Sequence, residues 1–424
     1  MQSRQTDGNG GFAKLDKNEN KITSSLLNKN DHQIDSDSAS ALQQYLDHIP
    51  ISSIPSIKNS QVLELKAGDS LRDAIHMLYE NDIFGAAILD VSDSHTTMTF
   101  TTRYIGIIDF ASMVLWCLQE YEKILENSME NSLKDIESHG FFSILDRFPQ
   151  IGQTKVGDLA KSFLWEPFFP VRLDDTILHA LLLLSKHRLC LLPVIQQPGP
   201  GLIGFVTQNA VVQFLLQSSG LEWFDSVADK KLSYMSFGNR KHPTCVSRGL
   251  TVADALKVLW QNQTCAVAVL DQQTKKVIGN VRNSDVYHLV NNDDLLRNRM
   301  ILTVQEFIHT EIDNKGSEDD DGGFVAGRNL SLKSSLIPRM DSPVTNKDNN
   351  TLKQIMEHMT QTNSSFSFLI NDNQQVTGLV TLRDIILQFA PPCMDSSIDG
   401  GGFFQFALEQ SGCDVKNGTI IRNH

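Results

Sequence analysis

The sequence predicts an α/β protein made of four copies of one small unit, arranged as two pairs. Four segments share one order: an amphipathic helix opened by Ser or Thr, an apolar strand, a polar turn, a second strand carrying a glycine, and a second helix. The helix-opening residues are Ser70, Thr176, Thr251 and Thr351, and the strand glycines are Gly106, Gly204, Gly279 and Gly378, which gives spacings of 36, 28, 28 and 27 residues. Three near-equal spacings and one longer one are what a repeated unit with a loop insertion produces. A unit of roughly 55 to 60 residues buries too little by itself to cover both faces of its sheet, so the units are expected to pair.

The first helix of each unit follows from periodicity. Leu71, Ala74, Ile75 and Leu78 recur at helical spacing, as do Val252, Ala255, Leu256 and Leu259, so one face goes inward. Ser70-x-x-Asp73, Thr251-x-x-Asp254 and Thr351-x-x-Gln354 place a capping hydroxyl three residues before an acidic or amide side chain, which is a helix N-terminus. Short apolar runs then read as strands at 190–195, 266–270 and 366–370, bounded by turn-rich stretches such as Asn371-Asp372-Asn373. In the first unit, the Ser/Thr-rich stretch 92–101 accounts for the longer spacing, because it separates the apolar strand 86–89 from 104–108.

Composition excludes several classes. The chain has 424 residues, 41% apolar and 21% charged, with a formal charge of −13. That is ordinary for a globular protein of two or three domains and argues against a nucleic-acid surface or a polybasic membrane patch. Six cysteines without a CxxC pair indicate a reducing compartment and no structural zinc. Residues 1–40 are polar, resemble no signal-peptide core, and are expected to be a disordered arm. The longest apolar runs, at 180–184 and 266–270, are far shorter than the roughly 20 residues needed to cross a bilayer. The expected location is cytoplasmic and/or nuclear.

The repeat glycine begins a pattern of Gly, two apolar residues, Thr or Ser, two residues of any type, then Asp. The fourth unit matches it completely as Gly378-Leu379-Val380-Thr381-Leu382-Arg383-Asp384. In this the units resemble the CBS domain, a β-α-β-β-α module that associates in pairs through its sheets. Four such repeats, together with Tyr45-Leu46-Asp47-His48-Ile49-Pro50, Trp165-Glu166-Pro167-Phe168 and Gly220-Leu221-Glu222-Trp223-Phe224-Asp225, resemble the gamma regulatory subunits of AMP-activated and sucrose-non-fermenting-related protein kinases, plant gamma-like branch. The resemblance implies two CBS pairs in a disk-like body. It also places the domains: arm 1–40, CBS 1 at 55–119, a linker at 120–150, CBS 2 at 154–218, CBS 3 at 236–294, an acidic Gly-rich insertion at 311–331, CBS 4 at 336–392 and a tail at 393–424.

The same resemblance implies an adenine-nucleotide ligand (AMP, ADP or ATP) held in the CBS clefts. Such a ligand needs apolar contacts for the base, a carboxylate for the ribose hydroxyls, and cations or hydroxyls for phosphate. Thr381 at the entrance of the last helix and Asp384 one turn into it are the first candidates. The third unit, Gly279-Asn280-Val281-Arg282-Asn283-Ser284-Asp285, keeps the carboxylate as Asp285 but has Arg282 at the hydroxyl position, so it is a second, weaker candidate. The second unit keeps Thr207 and has Ala210 where the carboxylate stands, and the first, starting at Gly106, has neither residue in its usual place. The basic pair expected before the second strand is replaced by Ser365-Phe366 in the fourth unit and Thr264-Cys265 in the third, while His187-Arg188 in the second lies two or three places early. Adenylates are therefore expected to bind weakly, with little discrimination among them. Thr381 and Asp384 also have a plain structural reading, as a helix cap.

No P-loop, kinase Gly-rich loop, catalytic His-Arg-Asp, nucleophile elbow or His-Glu-x-x-His pair appears. The ends outside the repeats are too short for a catalytic domain, so the protein is expected not to be an enzyme, and no cofactor or metal is expected. The resemblance implies a non-catalytic subunit that partners a kinase catalytic alpha-type subunit and a beta-type subunit, with no nucleic acid and no membrane. The alternative is an adaptor with degenerate sites that does not sense adenylates.

Overall fold

In every repeat a short strand precedes the capped helix, an element absent from the helix-to-glycine pattern. A computed structural model describes residues 41–55, 57, 62–90, 104–127, 140–162, 168–186, 189–196, 201–235, 243–310, 331–332, 338–390, 413–416 and 419–422. The expected arm at 1–40, the insertion at 92–101, the acidic insertion up to residue 330, and His187-Arg188 lie outside the described residues. Of the expected tail, only an antiparallel strand pair, Cys413–Lys416 with Thr419–Arg422, is described.

Repeat one contains β1 (Glu64–Lys66), α1 (Leu71–Glu80), β2 (Gly85–Leu89), β3 (Tyr104–Asp109) and α2 (Phe110–Asn127). Repeat two contains β4 (Val171–Arg172), α3 (Ile177–Lys186), β5 (Leu191–Gln196), β6 (Gly201–Thr207) and α4 (Gln208–Leu216). Repeat three contains β7 (Cys245–Ser247), α5 (Val252–Asn262), β8 (Ala266–Leu270), β9 (Val277–Arg282) and α6 (Val286–Asn291). Repeat four contains β10 (Thr345–Lys347), α7 (Leu352–Gln361), β11 (Phe366–Ile370), β12 (Val376–Thr381) and α8 (Leu382–Phe389). Each repeat forms its own three-stranded sheet, in which the first two strands are parallel across the helix and the last two form an antiparallel pair.

The repeat glycines mark one backbone irregularity. Gly106 pairs with Ile88, Gly204 with Val194, Gly279 with Val269 and Gly378 with Leu369, and in all four sheets the register shifts at the next residue. Glycine in a strand interior commonly marks such a bulge or a close backbone approach. At two of these positions the approach is visible: an added Cβ on Gly204 would sit 2.1 Å from the carbonyl oxygen of Ile57, and one on Gly279 2.8 Å from that of Met340.

The segments that lead into the repeats also join partners. Each helix-opening residue forms a bridge with such a segment: Thr176 with Pro50, Ser70 with Lys155, Thr351 with Lys231 and Thr251 with Thr303. The segment before repeat one thus clips repeat two, and the segment before repeat two clips repeat one. Repeats three and four exchange their lead-in segments in the same way. The hydroxyls of Ser70, Thr176, Thr251 and Thr351 meanwhile accept the N–H three residues on, as the capping pattern predicts.

Four apolar clusters close the repeats into a cycle. Sheet faces join repeats one and two through residues such as Ala87, Ile107, Leu191 and Phe205, and join repeats three and four through Ala266, Ala268, Phe366 and Phe368. Helical faces join one to three and two to four. The pairing of one with two and three with four is therefore that of the sequence expectation.

The segment expected as a linker at 120–150 contributes to this core. Residues 120–127 continue α2, and helices at Phe141–Arg147 and Pro149–Gly152 bury Phe141, Ile144, Leu145 and Ile151 between repeats one and three. The i, i+3, i+4 spacing of Phe141, Ile144 and Leu145 supplies the apolar face. Nearby, fully buried Arg299 donates to the Leu296 carbonyl at 2.8 Å and lies 3.6 Å from the Glu122 carboxylate, with its guanidinium 5.6 Å from the centre of the Tyr121 ring. Burial raises the Glu122 carboxyl against the pull of Arg299.

Gly279→Ala tests the close approach. The Met340 carbonyl accepts the Asn280 N–H at 2.9 Å and cannot yield freely, so the variant is expected to lose about 1 to 3 kcal/mol in urea denaturation. Gly249→Ala, with nothing within 4 Å of the added Cβ, is expected to stay within about 0.5 kcal/mol of wild type.

Candidate functional site

The third strand of each sheet ends where the second helix of the repeat begins, so the residue there and the residue three positions on face each other across the first turn. This boundary contains all four sequence candidates, and the structure gives it four chemistries.

In repeat four Thr381 caps α8. Its N–H and hydroxyl both donate to Asp384 Oδ2, at 2.9 and 2.7 Å, and Thr381 Oγ1 accepts the Asp384 N–H at 3.3 Å. This is a complete capping box, so the plain structural reading of the pair is realised. All the donors to the Asp384 carboxylate fall on one oxygen, and among the described residues Oδ1 receives none. Asp384 is largely buried, and its charge is felt across the pair by Cys265 of repeat three: burial pushes that thiol up to about 11, and the Asp384 carboxylate adds to the effect.

In repeat three both oxygens of Asp285 are held. The Arg282 N–H donates to Oδ2 at 2.7 Å, Nε to Oδ1 at 3.0 Å and Nη2 to Oδ1 at 2.7 Å, while Nη1 reaches the Pro338 carbonyl at 2.8 Å. Both side chains are buried. The sequence offered Arg282 as a lost hydroxyl; the structure makes it an ion-pair partner of the candidate carboxylate.

In repeat two Thr207 Oγ1 accepts the Ala210 N–H at 3.1 Å, and Ala210 can return nothing. The neighbouring Asn209 instead donates to Asn363 Oδ1 of repeat four at 3.2 Å. In repeat one the box is inverted. Asp109 takes the capping place and accepts from the Ser112 N–H at 2.8 Å and the Ser112 hydroxyl at 2.6 Å. Burial raises the Asp109 carboxyl and these bonds oppose the rise. In the sequence, Asp109-x-x-Ser112 is Thr-x-x-Asp in reverse, which is the local signal for this box.

The two sheet interfaces differ in what fills them. Between repeats one and two, the Tyr104 ring stacks on Phe168 at 4.1 Å and its hydroxyl donates to Glu64. Between repeats three and four, Ala266 and Ala268 meet Phe366 and Phe368, with Cys245 and Cys265 packed alongside. Arg383, beside the Thr381 cap, donates across to the Ser185 carbonyl of repeat two at 3.1 Å. Among the described residues no group of three His, Cys, Asp or Glu side chains is placed to hold a metal, and no helix is long and apolar enough to cross a membrane.

The CBS domain family model matches residues 156–217 and 340–390, which cover repeats two and four. The chain carries CBS domains. Over 364 residues it is 24% identical to the SNF1-related protein kinase regulatory subunit gamma-1 of Arabidopsis thaliana, spanning 81% of this chain and 82% of that subunit. It is also 24% identical over 409 residues to the gamma-1-like subunit of the same plant, spanning 81% and 86%. Among solved structures, a Methanocaldococcus jannaschii protein proposed as an archaeal homologue of g-AMPK superposes with a TM-score of 0.50 at 15% identity, covering 81% of this chain and all of that one. That likeness is one of fold, and the fold is four CBS repeats in two pairs.

The inverted box of repeat one predicts an unusual pH response. A carboxyl whose folded value is raised favours the folded state most below its unfolded value of 3.8, and that contribution is lost as pH rises through the folded value. Acidifying from neutral towards 3.8 should therefore stabilise wild type relative to Asp109→Asn, as read by urea denaturation at several pH values. A gap that moves the other way would mean that the Ser112 bonds outweigh burial.

Proposed function

We propose that this chain is a non-catalytic, gamma-type regulatory subunit of a heterotrimeric Ser/Thr protein kinase, partnering a catalytic alpha-type and a beta-type subunit. The observation that carries the reading is the extent of similarity to the plant gamma-1 subunit, which runs through most of both chains, on a cycle of four CBS repeats. A local match to one CBS pair would say only that the module is present. Affinity purification of the tagged full chain is expected to recover a kinase catalytic subunit and a beta-type subunit. Recovery of neither, under conditions in which an established gamma subunit recovers both, would sink the reading.

The ligand of the reading is an adenine nucleotide in the cleft of repeats three and four. Asp384 fits the ribose, because Oδ2 holds the helix cap while Oδ1 has no donor among the described residues. The Thr381 hydroxyl lies at the start of the same helix, where the backbone N–H groups favour an anion. Thr207 sets the cap of the corresponding helix in repeat two and has no carboxylate beside it, so it is a weaker candidate. Asp384→Ala is expected to lower adenosine-nucleotide affinity about ten- to a hundredfold in calorimetry, which corresponds to about 1.5 to 3 kcal/mol for charge-assisted hydrogen bonds. Asp384→Asn, which keeps an acceptor for the Thr381 N–H, separates the loss of the ligand bond from damage to the cap.

A second reading is favoured by the two arginines beside the caps. Arg282 is committed to Asp285 and Arg383 to the Ser185 carbonyl, which leaves phosphate little cationic help there. On this reading the chain is an adaptor that binds partners without sensing adenylates. Calorimetry with AMP, ADP and ATP decides: weak binding with little discrimination supports the first reading, and no binding of any of the three selects the adaptor.

A further inference from the structure

We propose that Arg282 is a built-in occupant of the third repeat's ligand place, so that the pair of repeats three and four offers one adenosine position, at Thr381 and Asp384. The proposal further holds that replacing Arg282 by threonine opens the second position. In its choice of ligand the proposal rests on the nucleotide reading above, but its geometry does not.

The two positions are equivalent by register. Arg282 pairs with Ala266 in the sheet of repeat three, as Thr381 pairs with Phe366 in that of repeat four, and each is followed three residues later by an aspartate. The backbone half of the arrangement is the same in both, since the Arg282 N–H reaches Asp285 Oδ2 at 2.7 Å and the Thr381 N–H reaches Asp384 Oδ2 at 2.9 Å. Only the side chains differ. The Thr381 hydroxyl adds a second donor to the same oxygen and leaves Oδ1 open, whereas the guanidinium brings Nε and Nη2 to Asp285 Oδ1.

Chemistry makes that occupant hard to displace. A guanidinium on a carboxylate forms charge-assisted bonds in a fixed fork, while the ribose hydroxyls that would replace it are neutral donors. Nη1 is tied to the Pro338 carbonyl at 2.8 Å, so the side chain is anchored at both ends of its fork. The Asp285 side chain is 2% exposed and that of Arg282 10%, so water does not weaken the pair as it would at a surface. A ligand would have to separate two buried charges and leave each without its partner, a cost absent in repeat four.

Calorimetry with adenosine and with AMP on the purified full chain, for wild type, Arg282→Thr, Asp384→Ala and the double variant, tests this, with circular dichroism melts to verify folding. Arg282→Thr is expected to add a second equivalent of bound adenosine. In the Asp384→Ala background it is expected to raise affinity at least tenfold over the single variant. If Arg282→Thr costs the fold, Arg282→Gln keeps an amide donor for Asp285 and is expected to show the same gain, reduced in size. Binding by wild type that is abolished in Asp384→Ala, with no gain from the folded Arg282 variant, overturns the proposal and leaves the nucleotide reading intact. Gain in the Arg282 variant with none in wild type upholds Arg282 as the occupant of the third repeat's place and overturns the position at Thr381 and Asp384. No binding by any folded variant overturns both.

Discussion

A three-stranded sheet with an apolar surface on each side cannot stand alone, and covering both sides is the constraint on which the rest of this structure depends. One face of each sheet carries the repeat's own helices, and the other meets the sheet of its partner repeat, as Ala268 and Phe368 do between repeats three and four. The helices in turn retain apolar outer faces, which meet those of a repeat from the other pair. Four units that satisfy both demands close into a cycle. The crossing lead-in segments fasten it, because the chain that enters one repeat first bridges the helix start of the other. The glycines at Gly204 and Gly279 let two of these segments lie against the third strand of the partner.

Within that frame, the strand-to-helix boundary meets one requirement in several ways. A helix that starts directly from a strand leaves N–H groups without partners, and something must satisfy them. Thr381 with Asp384 does so by a reciprocal box, Asp109 with Ser112 by the reverse of it, and Thr207 by a hydroxyl alone. Repeat three replaces the hydroxyl with a buried ion pair. The cap constrains the proposed ligand chemistry at this boundary, because one carboxylate would have to serve both. Asp384 has an oxygen beyond what its cap uses, and Asp285 has not. That difference separates two positions that sequence spacing had ranked only by the presence of a hydroxyl.

Where two pairs dock, charge lies under the apolar contact. Arg299 is fully buried, with Glu122 of α2 and the Tyr121 ring beside it, at the place where repeat one meets the segment that follows repeat three. Removing either charge would leave the other in a low-dielectric interior, which is far more costly than losing an exposed pair. Neither residue belongs to the repeated pattern, and the pair forms only when repeats 175 or so residues apart in sequence pack together.

The sequence by itself determined the unit and its number: helix periodicity, the Ser or Thr caps and the spacing to the glycines are local features, written within a few turns of chain. It also carried the pairing, through the argument that one unit is too small to bury its sheet. It showed the candidate carboxylates too, since Thr381-x-x-Asp384 and Arg282-x-x-Asp285 can be read directly. What it could not give was the helical, buried character of 141–152, because whether an amphipathic stretch lies in a linker or a core depends on what packs against it. Nor could it give the commitment of Asp285 to Arg282, or the nearness of Asp384 to Cys265. A side chain three residues away can turn towards a neighbour or towards solvent, and only the surrounding walls, here the Pro338 carbonyl and the opposing repeat, decide which.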